Sequence, residues 1–277
     1  MARPSANLGS GYTNEQEMRV IGMSRSGNHA ILNWIFAQAP PRTCLLNCAE
    51  GKENPFLTAR PMDSGRPYRA NYEFDLEREQ RGRLSAKNLL LFSHEDNFLG
   101  NAVSDAYERE HDGWVGPTRR RRDVLILRDP FNLFASRLRA GSAEVGLTVA
   151  KRIWKQHARE FLQGPSRLRH DPVLIRYNQW FTDRDYRRAL ADRLGLTFTD
   201  AGLREVAACH GGSSFDGLAY DGDAQQMGVL SRWKHYAADA QYRMLFDEEL
   251  IEMSESIFGP IPGTRELLGS AAVQQAG

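Results

Sequence analysis

Short apolar runs closed by turn residues, each followed by a segment with helical spacing, recur along the chain. This is the pattern of a parallel sheet covered by helices: a strand buried on both faces is apolar nearly throughout, while its covering helix is apolar along one stripe. Residues 18–23 (MRVIGM) read as a first strand and residues 24–27 as a turn. Residues 28–39 follow as a helix with Ile31, Leu32, Ile35 and Phe36 at core-facing spacing, stopped by Pro40 and Pro41. Residues 88–93 (NLLLFS), 123–127 (DVLIL) and 172–176 (PVLIR) have the length and continuity of central strands. Helices are expected over 131–140, 147–162 and 183–194, the last closed by Gly195, and again over 237–257. The Gly/Pro/Asp-rich stretches 49–67 and 210–228 read as long loops of the kind that carry function. No internal repeat is evident. The expected architecture is a P-loop-like α/β fold, a parallel sheet flanked by helices, in one domain over 18–262, with a flexible leader over 1–17 and a flexible tail over 263–277.

Composition narrows the partners. The 277 residues and 41% hydrophobic content suit one sizeable core. Thirty-six Lys and Arg against 35 Asp and Glu leave a formal charge of +1, so no global field favours nucleic acid or an anionic membrane. Anion selectivity must then be local. Cys44, Cys48 and Cys209 form neither a disulfide framework nor zinc knuckles, which suits a reducing compartment and leaves no expected metal site. No stretch approaches the roughly 18 apolar residues of a membrane span, and the first residues lack a signal-peptide pattern, so a cytoplasmic protein is expected.

A strand, a tight glycine turn and a helix in that order gather backbone N–H groups and the positive end of the helix dipole at one point. Ser24, Arg25, Ser26, Gly27, Asn28 and His29 occupy it. Gly27 allows close backbone approach, Arg25 offers a forked cation, and Ser26 and Asn28 are donors. Gly22 and Gly27 keep the glycine spacing of a Walker A loop, but Asn28 and His29 stand where its Lys and Ser/Thr belong. Triphosphate hydrolysis is therefore disfavoured. A second candidate anion seat follows the strand 123–127: Arg128 leaves the sheet's carboxyl edge, Asp129 and Pro130 start a helix, and Ser136 lies about two turns on. An ion-pairing role for Arg128 is the alternative.

The stretch RDPFNLFASR from Arg128 resembles the 3′-phosphate motif of sulfotransferases, an Arg followed eight residues later by Ser136. The turn at 24–27 likewise resembles their 5′-phosphosulfate loop, and order and separation agree. Residues 173–183 (VLIRYNQWFTD) are similar to the family's strand with an adenine-reaching Tyr, 213–216 (SSFD) to its Ser-Phe segment, and 228–234 (GVLSRWK) to its C-terminal phosphate loop. The resemblance implies a distant member of the family that uses 3′-phosphoadenosine 5′-phosphosulfate as co-substrate, without metal. It assigns Arg25, Ser26, Gly27, Asn28 and His29 to the 5′-phosphosulfate and Arg128 and Ser136 to the 3′-phosphate. Tyr177, Ser214 and Phe215 fall to the adenine. Two features depart from the family. Gln226 and Met227 stand where Arg-Lys is usual, which leaves Arg232 or Lys234 as replacement cation, and Ala30 takes the place of an adenine-stacking Trp.

Transfer to a hydroxyl or amine needs a base at the attacking atom. His94, after the strand 88–93, resembles the family's catalytic His, and an imidazole titrates near neutrality. Glu95 is the alternative base, and His29 a group for the sulfuryl oxygens. The functional expectation is a sulfotransferase acting on a glycan, lipid-linked sugar or small alcohol, with oligomerisation open. A divergent P-loop kinase and a non-catalytic nucleotide-binding protein are the other readings. The acceptor pocket is expected from the loops 49–67, 97–118 and 210–227. Arg119 to Arg122 read as a solvated basic surface, and Met244, Leu245, Leu250, Ile251 and Met253 as a core stripe.

Overall fold

The computed structural model describes residues 11–62, 65–141, 146–208 and 211–268. The chain runs through β1 (Asn14–Gly22), α1 (Asn28–Ala37), β2 (Thr43–Leu46), α2 (Pro55–Thr58), β3 (Tyr68–Ala70) and α3 (Leu76–Gln80). It continues through β4 (Lys87–Glu95), α4 (Leu99–Ala102), α5 (Asp105–Trp114), β5 (Thr118–Leu127), α6 (Pro130–Ala140) and α7 (Leu147–Gln163). The last elements are β6 (Val173–Arg176), α8 (Tyr177–Thr182), α9 (Arg184–Leu194), α10 (Ala240–Arg243) and α11 (Glu248–Phe258). Six strands form one sheet in the order β3-β2-β4-β1-β5-β6, parallel except for the antiparallel edge pair β2–β3.

The parallel register explains the continuous apolar runs. On one face Met18, Val20, Leu89, Leu91, Val124 and Ile126 meet Ile31, Leu32, Trp34 and Ile35 of α1. Residues of alternate register, Leu90 and Phe92, face Tyr107 of α5 on the other side. A further cluster packs α6 and α7 against α11, through Phe131, Phe134, Trp154, Leu250 and Ile251. The parallel strands all end on one edge, where open α/β sheets bind ligands.

Several expectations need correction. The first strand begins at Asn14, so residues 14–17 are not leader. Their polarity is absorbed by pairing: Asn14 Nδ2 donates to Val115 O at 2.9 Å, and Glu17 meets His111 at 2.6 Å. Residues 1–10 of the expected leader and 269–277 of the expected tail lie outside the described residues, as do Cys209 and His210. Tail residues Thr264 and Leu267 are buried within a 3-10 turn. The four-Arg run lies inside β5, with Arg119, Arg121 and Arg122 paired to Glu15, Glu108 and Asp171. The helix expected over 237–257 is two helices, because Asp247 turns its carboxylate back to accept from Leu250 N at 2.8 Å and starts α11 afresh. Met244 falls in the break and is 77% exposed, while Leu245, Leu250, Ile251 and Met253 are core.

Candidate active site

At the strand ends a cavity of about 520 Å³ opens. Ser24, Arg25, Gly27, Asn28 and His29 line one wall, with Glu95 and Asp96 from the end of β4 and Asn47 and Cys48 from the end of β2. Arg128, Tyr177, Val229 and Arg232 also line it, with Arg128 and Tyr177 reaching the turn itself. The two anion seats read from the sequence therefore share one cavity.

The turn after β1 is built by its own side chains. Arg25 and Gly27 take positive φ of 70° and 89°. Ser26 is buried beneath the turn, where its hydroxyl accepts from Met23 N at 3.3 Å and donates to Asn28 Oδ1 at 2.8 Å. Asn28, in the place of the Walker Lys, donates from Nδ2 to Glu95 Oε1 at 2.8 Å. A β-carbon on Gly22 would come within 2.1 Å of Asn28 Oδ1, so the first glycine of the pair is needed to seat that amide. Among the described residues no side chain caps α1, so its first-turn N–H groups can serve an anion. Arg25 Nη1 donates to Gly212 O at 3.2 Å, and His29 Nε2 lies 3.0 Å from Asn47 Oδ1. An amide oxygen can only accept, so His29 donates from Nε2 in this contact.

The second seat centres on Ser136. Its hydroxyl accepts from Arg128 Nη1 at 3.3 Å and from Arg232 Nη1 at 3.4 Å, so two guanidiniums converge above a fully buried serine. Among the described residues five Arg are buried: Arg19, Arg128, Arg137, Arg187 and Arg232. Four of them are paired with Asp123, Asp96, Asp200 and Asp216. Arg128 is 2% exposed and, among the described residues, bonds the carbonyls of Arg25 and Val229 but no carboxylate, with its Nε unpartnered. Burial pulls its pKa below the ordinary guanidinium value. A buried cation without a counter-charge is costly unless a ligand supplies one. The ion-pairing alternative for Arg128 thus falls away.

Two of the expected site residues lie elsewhere. His94 is 1% exposed, absent from the cavity wall, and its Nδ1 donates to Ala49 O at 2.6 Å. Burial pushes its pKa down to about 4. The cause is the two-residue period of β4: Phe92 and His94 share the α5 face, with their rings 5.5 Å apart, whereas Glu95 takes the next register and reaches the cavity. Phe215 packs against His235 and Tyr236 with Arg232 over its ring, and it too is absent from the cavity wall. Its neighbour Ser214 lines the cavity with its hydroxyl buried and unpartnered.

Sequence patterning missed Asp96, Asn47, Arg60, Trp180 and Phe181, all on the wall. Trp180 and Phe181 follow Tyr177 by three and four residues, which is one helix face, and that spacing was a usable signal. Their rings lie nearly parallel to Tyr177 at 5.7 and 6.0 Å. Asn47 was hidden because the four residues of β2 gave no recognisable run. Of the expected acceptor loops, 49–67 contributes Arg60 and Pro61, and 210–227 contributes Gly212 to Ser214, Ala224 and Met227. The stretch 97–118 is largely α4 and α5, committed to packing, and contributes nothing to the wall.

The fold is sulfotransferase-like. The sulfotransferase domain of the Synechococcus PCC 7002 olefin synthase matches with a TM-score of 0.50 at 14% identity, over 90% of this chain and 97% of that one. The sulfotransferase domain of the curacin biosynthetic pathway gives 0.48 at 14% identity, over 88% and 98%. Mouse sulfotransferase SULT7A1, solved in complex with PAP, gives 0.45 at 12% identity, over 91% and 88%. The relationship is distant and lies in the fold. No protein-family model matches the chain, and no curated protein matches it in sequence. Among the described residues, no helix is long and apolar enough to cross a membrane.

Proposed function

We propose that the chain is a sulfotransferase that moves the sulfuryl group of 3′-phosphoadenosine 5′-phosphosulfate to a hydroxyl, or an amine, of an acceptor. The observation that carries this reading is Arg128, a buried guanidinium that faces a cavity, has no carboxylate partner among the described residues and converges with Arg232 on Ser136. It calls for a ligand with an anion at that seat, while the cradle after β1 calls for a second anion. A nucleotide carrying separate 3′ and 5′ anions satisfies both.

In this reading the first-turn N–H groups of α1, Arg25 and His29 hold the phosphosulfate, and Ser26, Gly27 and Asn28 shape the turn that presents them. Arg128, Ser136 and Arg232 take the 3′-phosphate, which competes with Asp216 for Arg232. Tyr177 and Ser214 flank the base. The acceptor oxygen attacks sulfur in line, the bond from sulfur to the bridging phosphate oxygen breaks, and adenosine 3′,5′-bisphosphate leaves. Glu95 takes the acceptor proton: it lines the cavity, and Asn28 orients its carboxylate at 2.8 Å. A sulfuryl donor needs no Walker Lys or metal-binding hydroxyl, so Asn28 and His29 are compatible with it. A compartment that supplies this donor, such as the cytoplasm, is the expected location.

Calorimetry with adenosine 3′,5′-bisphosphate against ATP with Mg²⁺ tests the reading. Metal-independent binding of the bisphosphate and no binding of ATP are expected. Preferential binding of ATP with Mg²⁺ would replace the sulfotransferase by a divergent kinase.

A further inference from the structure

Immediately after β4, Asp96 takes a positive φ of 56°, unusual for a residue with a side chain. Its N–H donates to Gly22 O at 3.1 Å, tying it to the end of β1. Its carboxylate accepts from Ser24 N at 3.1 Å and, through its two oxygens, from Arg137 Nη1 at 2.7 and 3.0 Å. The same Arg137 nitrogen donates to Ser24 O at 3.1 Å. Both main-chain groups of Ser24 are thus held by one ion pair, whose side chains are 0% and 8% exposed.

Arg137 directly follows Ser136 on α6. Successive helical side chains point about 100° apart. Ser136 accordingly meets the two guanidiniums of the second seat, while Arg137 meets the turn of the first. One helix touches both anion seats. A buried ion pair is a poor source of stability against an apolar pair of equal volume, and fixing a register is its best-attested use.

We propose that Asp96 and Arg137 are positioning residues that hold the Ser24 end of the phosphosulfate cradle, beside Glu95, at a set distance from the 3′-phosphate seat. The proposal rests on the sulfotransferase reading above. Asp96 lines the cavity, but its carboxylate is committed to Ser24 N and Arg137; both residues act through the Ser24 main chain, so their loss should be felt by a 5′-anion and not by a 3′-anion.

Binding of adenosine 3′,5′-bisphosphate, adenosine 5′-monophosphate and adenosine 3′-monophosphate to the wild-type chain and to Asp96→Asn separates the cases. The double variant Asp96→Asn/Arg137→Gln is measured alongside. It removes both charges of the buried pair and carries the test if the single variant fails to fold. Both variants should bind the two nucleotides with a 5′-phosphate roughly tenfold more weakly, while the 3′-monophosphate changes by less than about twofold. Binding that is unchanged, or weakened equally for all three by variants that keep the wild-type Tm, would overturn the positioning role and leave the functional reading intact. A wild-type chain that binds none of the three overturns the functional reading itself.

Discussion

A β-carbon built on Gly27 would lie 2.0 Å from Cε2 of Tyr177, so the turn after β1 and the helix after β6 meet with no room for a side chain between them. Gly27 is doubly constrained, because its φ of 89° also excludes most other residues. The contact ties the cradle to the aromatic wall. Gly27→Ala should cost about 1–2 kcal/mol from the left-handed backbone alone and, by displacing Tyr177, weaken adenosine 3′,5′-bisphosphate binding by roughly tenfold or more. A cycle with Tyr177→Ala, followed by thermal unfolding, checks the cause. The double variant should be less destabilised than the sum of the singles by about 0.5–3 kcal/mol. Strict additivity would mean that the two residues do not meet.

Adjacent residues on β4 give opposite expectations for catalysis. Glu95→Gln should keep nucleotide binding and lower transfer of labelled sulfuryl to an acceptor found by screening, by about 10²–10⁴-fold. His94→Asn should lower Tm, because it disturbs a buried side chain bonded to Ala49 O, yet retain transfer. The reverse pattern would return the base to His94. A Glu95→Gln variant with full activity would remove base catalysis from this site altogether.

The contrast marks what the sequence made legible. Continuous apolar runs located the central strands, and turn residues located the two segments, after β1 and after β5, that meet at the cavity, because those features are local. The choice between His94 and Glu95 hung on one step of strand register, which an apolar run buried on both faces does not encode. Arg232 was named as a replacement cation from a loop resemblance, but its meeting with Ser136 is a contact across 96 residues. Phe215 carried the right motif, yet Arg232 and His235 draw its ring away from the cavity. The paired role of Asp96 and Arg137 was invisible for the same reason, since only the fold brings their segments together.

Acid sensitivity should begin above the carboxylate range. His94 and His157 are both fully enclosed, and burial lowers each from the ordinary imidazole range near 6.5 to about 4. Below about pH 6.5 the unfolded chain takes up protons that the folded chain refuses until about pH 4. Stability is therefore present above that window and falls as pH drops through it, by up to about 1.4 kcal/mol per pH unit for each histidine. His111 acts in the opposite direction: Glu17 raises its pKa, so its contribution is lost as pH rises. Urea unfolding from neutral pH down to about pH 4.5 should show the slope, with His157→Gln removing about half of it. A flat profile across this window would mean that the two imidazoles are not held neutral.

The aromatic wall of the cavity offers a comparison between two phenylalanines. Phe181 lines the cavity with its ring nearly parallel to Tyr177, while Phe215 lies under Arg232 at 5.0 Å and away from the wall. If Phe181 presents its face to the base, Phe181→Ala removes a stacking contact of about 1–3 kcal/mol, a loss of roughly tenfold or more in affinity. That loss should fall equally on adenosine 3′,5′-bisphosphate and adenosine 5′-monophosphate, since both carry the base. Phe215→Ala removes a cation–π support of about 0.5–1 kcal/mol from Arg232. Its effect should be small and confined to the nucleotide with a 3′-phosphate, because Arg232 meets Ser136, the residue at the proposed 3′-phosphate seat. Calorimetry on the two variants with both nucleotides decides the matter. A large loss for Phe215→Ala on the 5′-monophosphate would put the base against Phe215 and require the 211–216 segment to swing inward on binding.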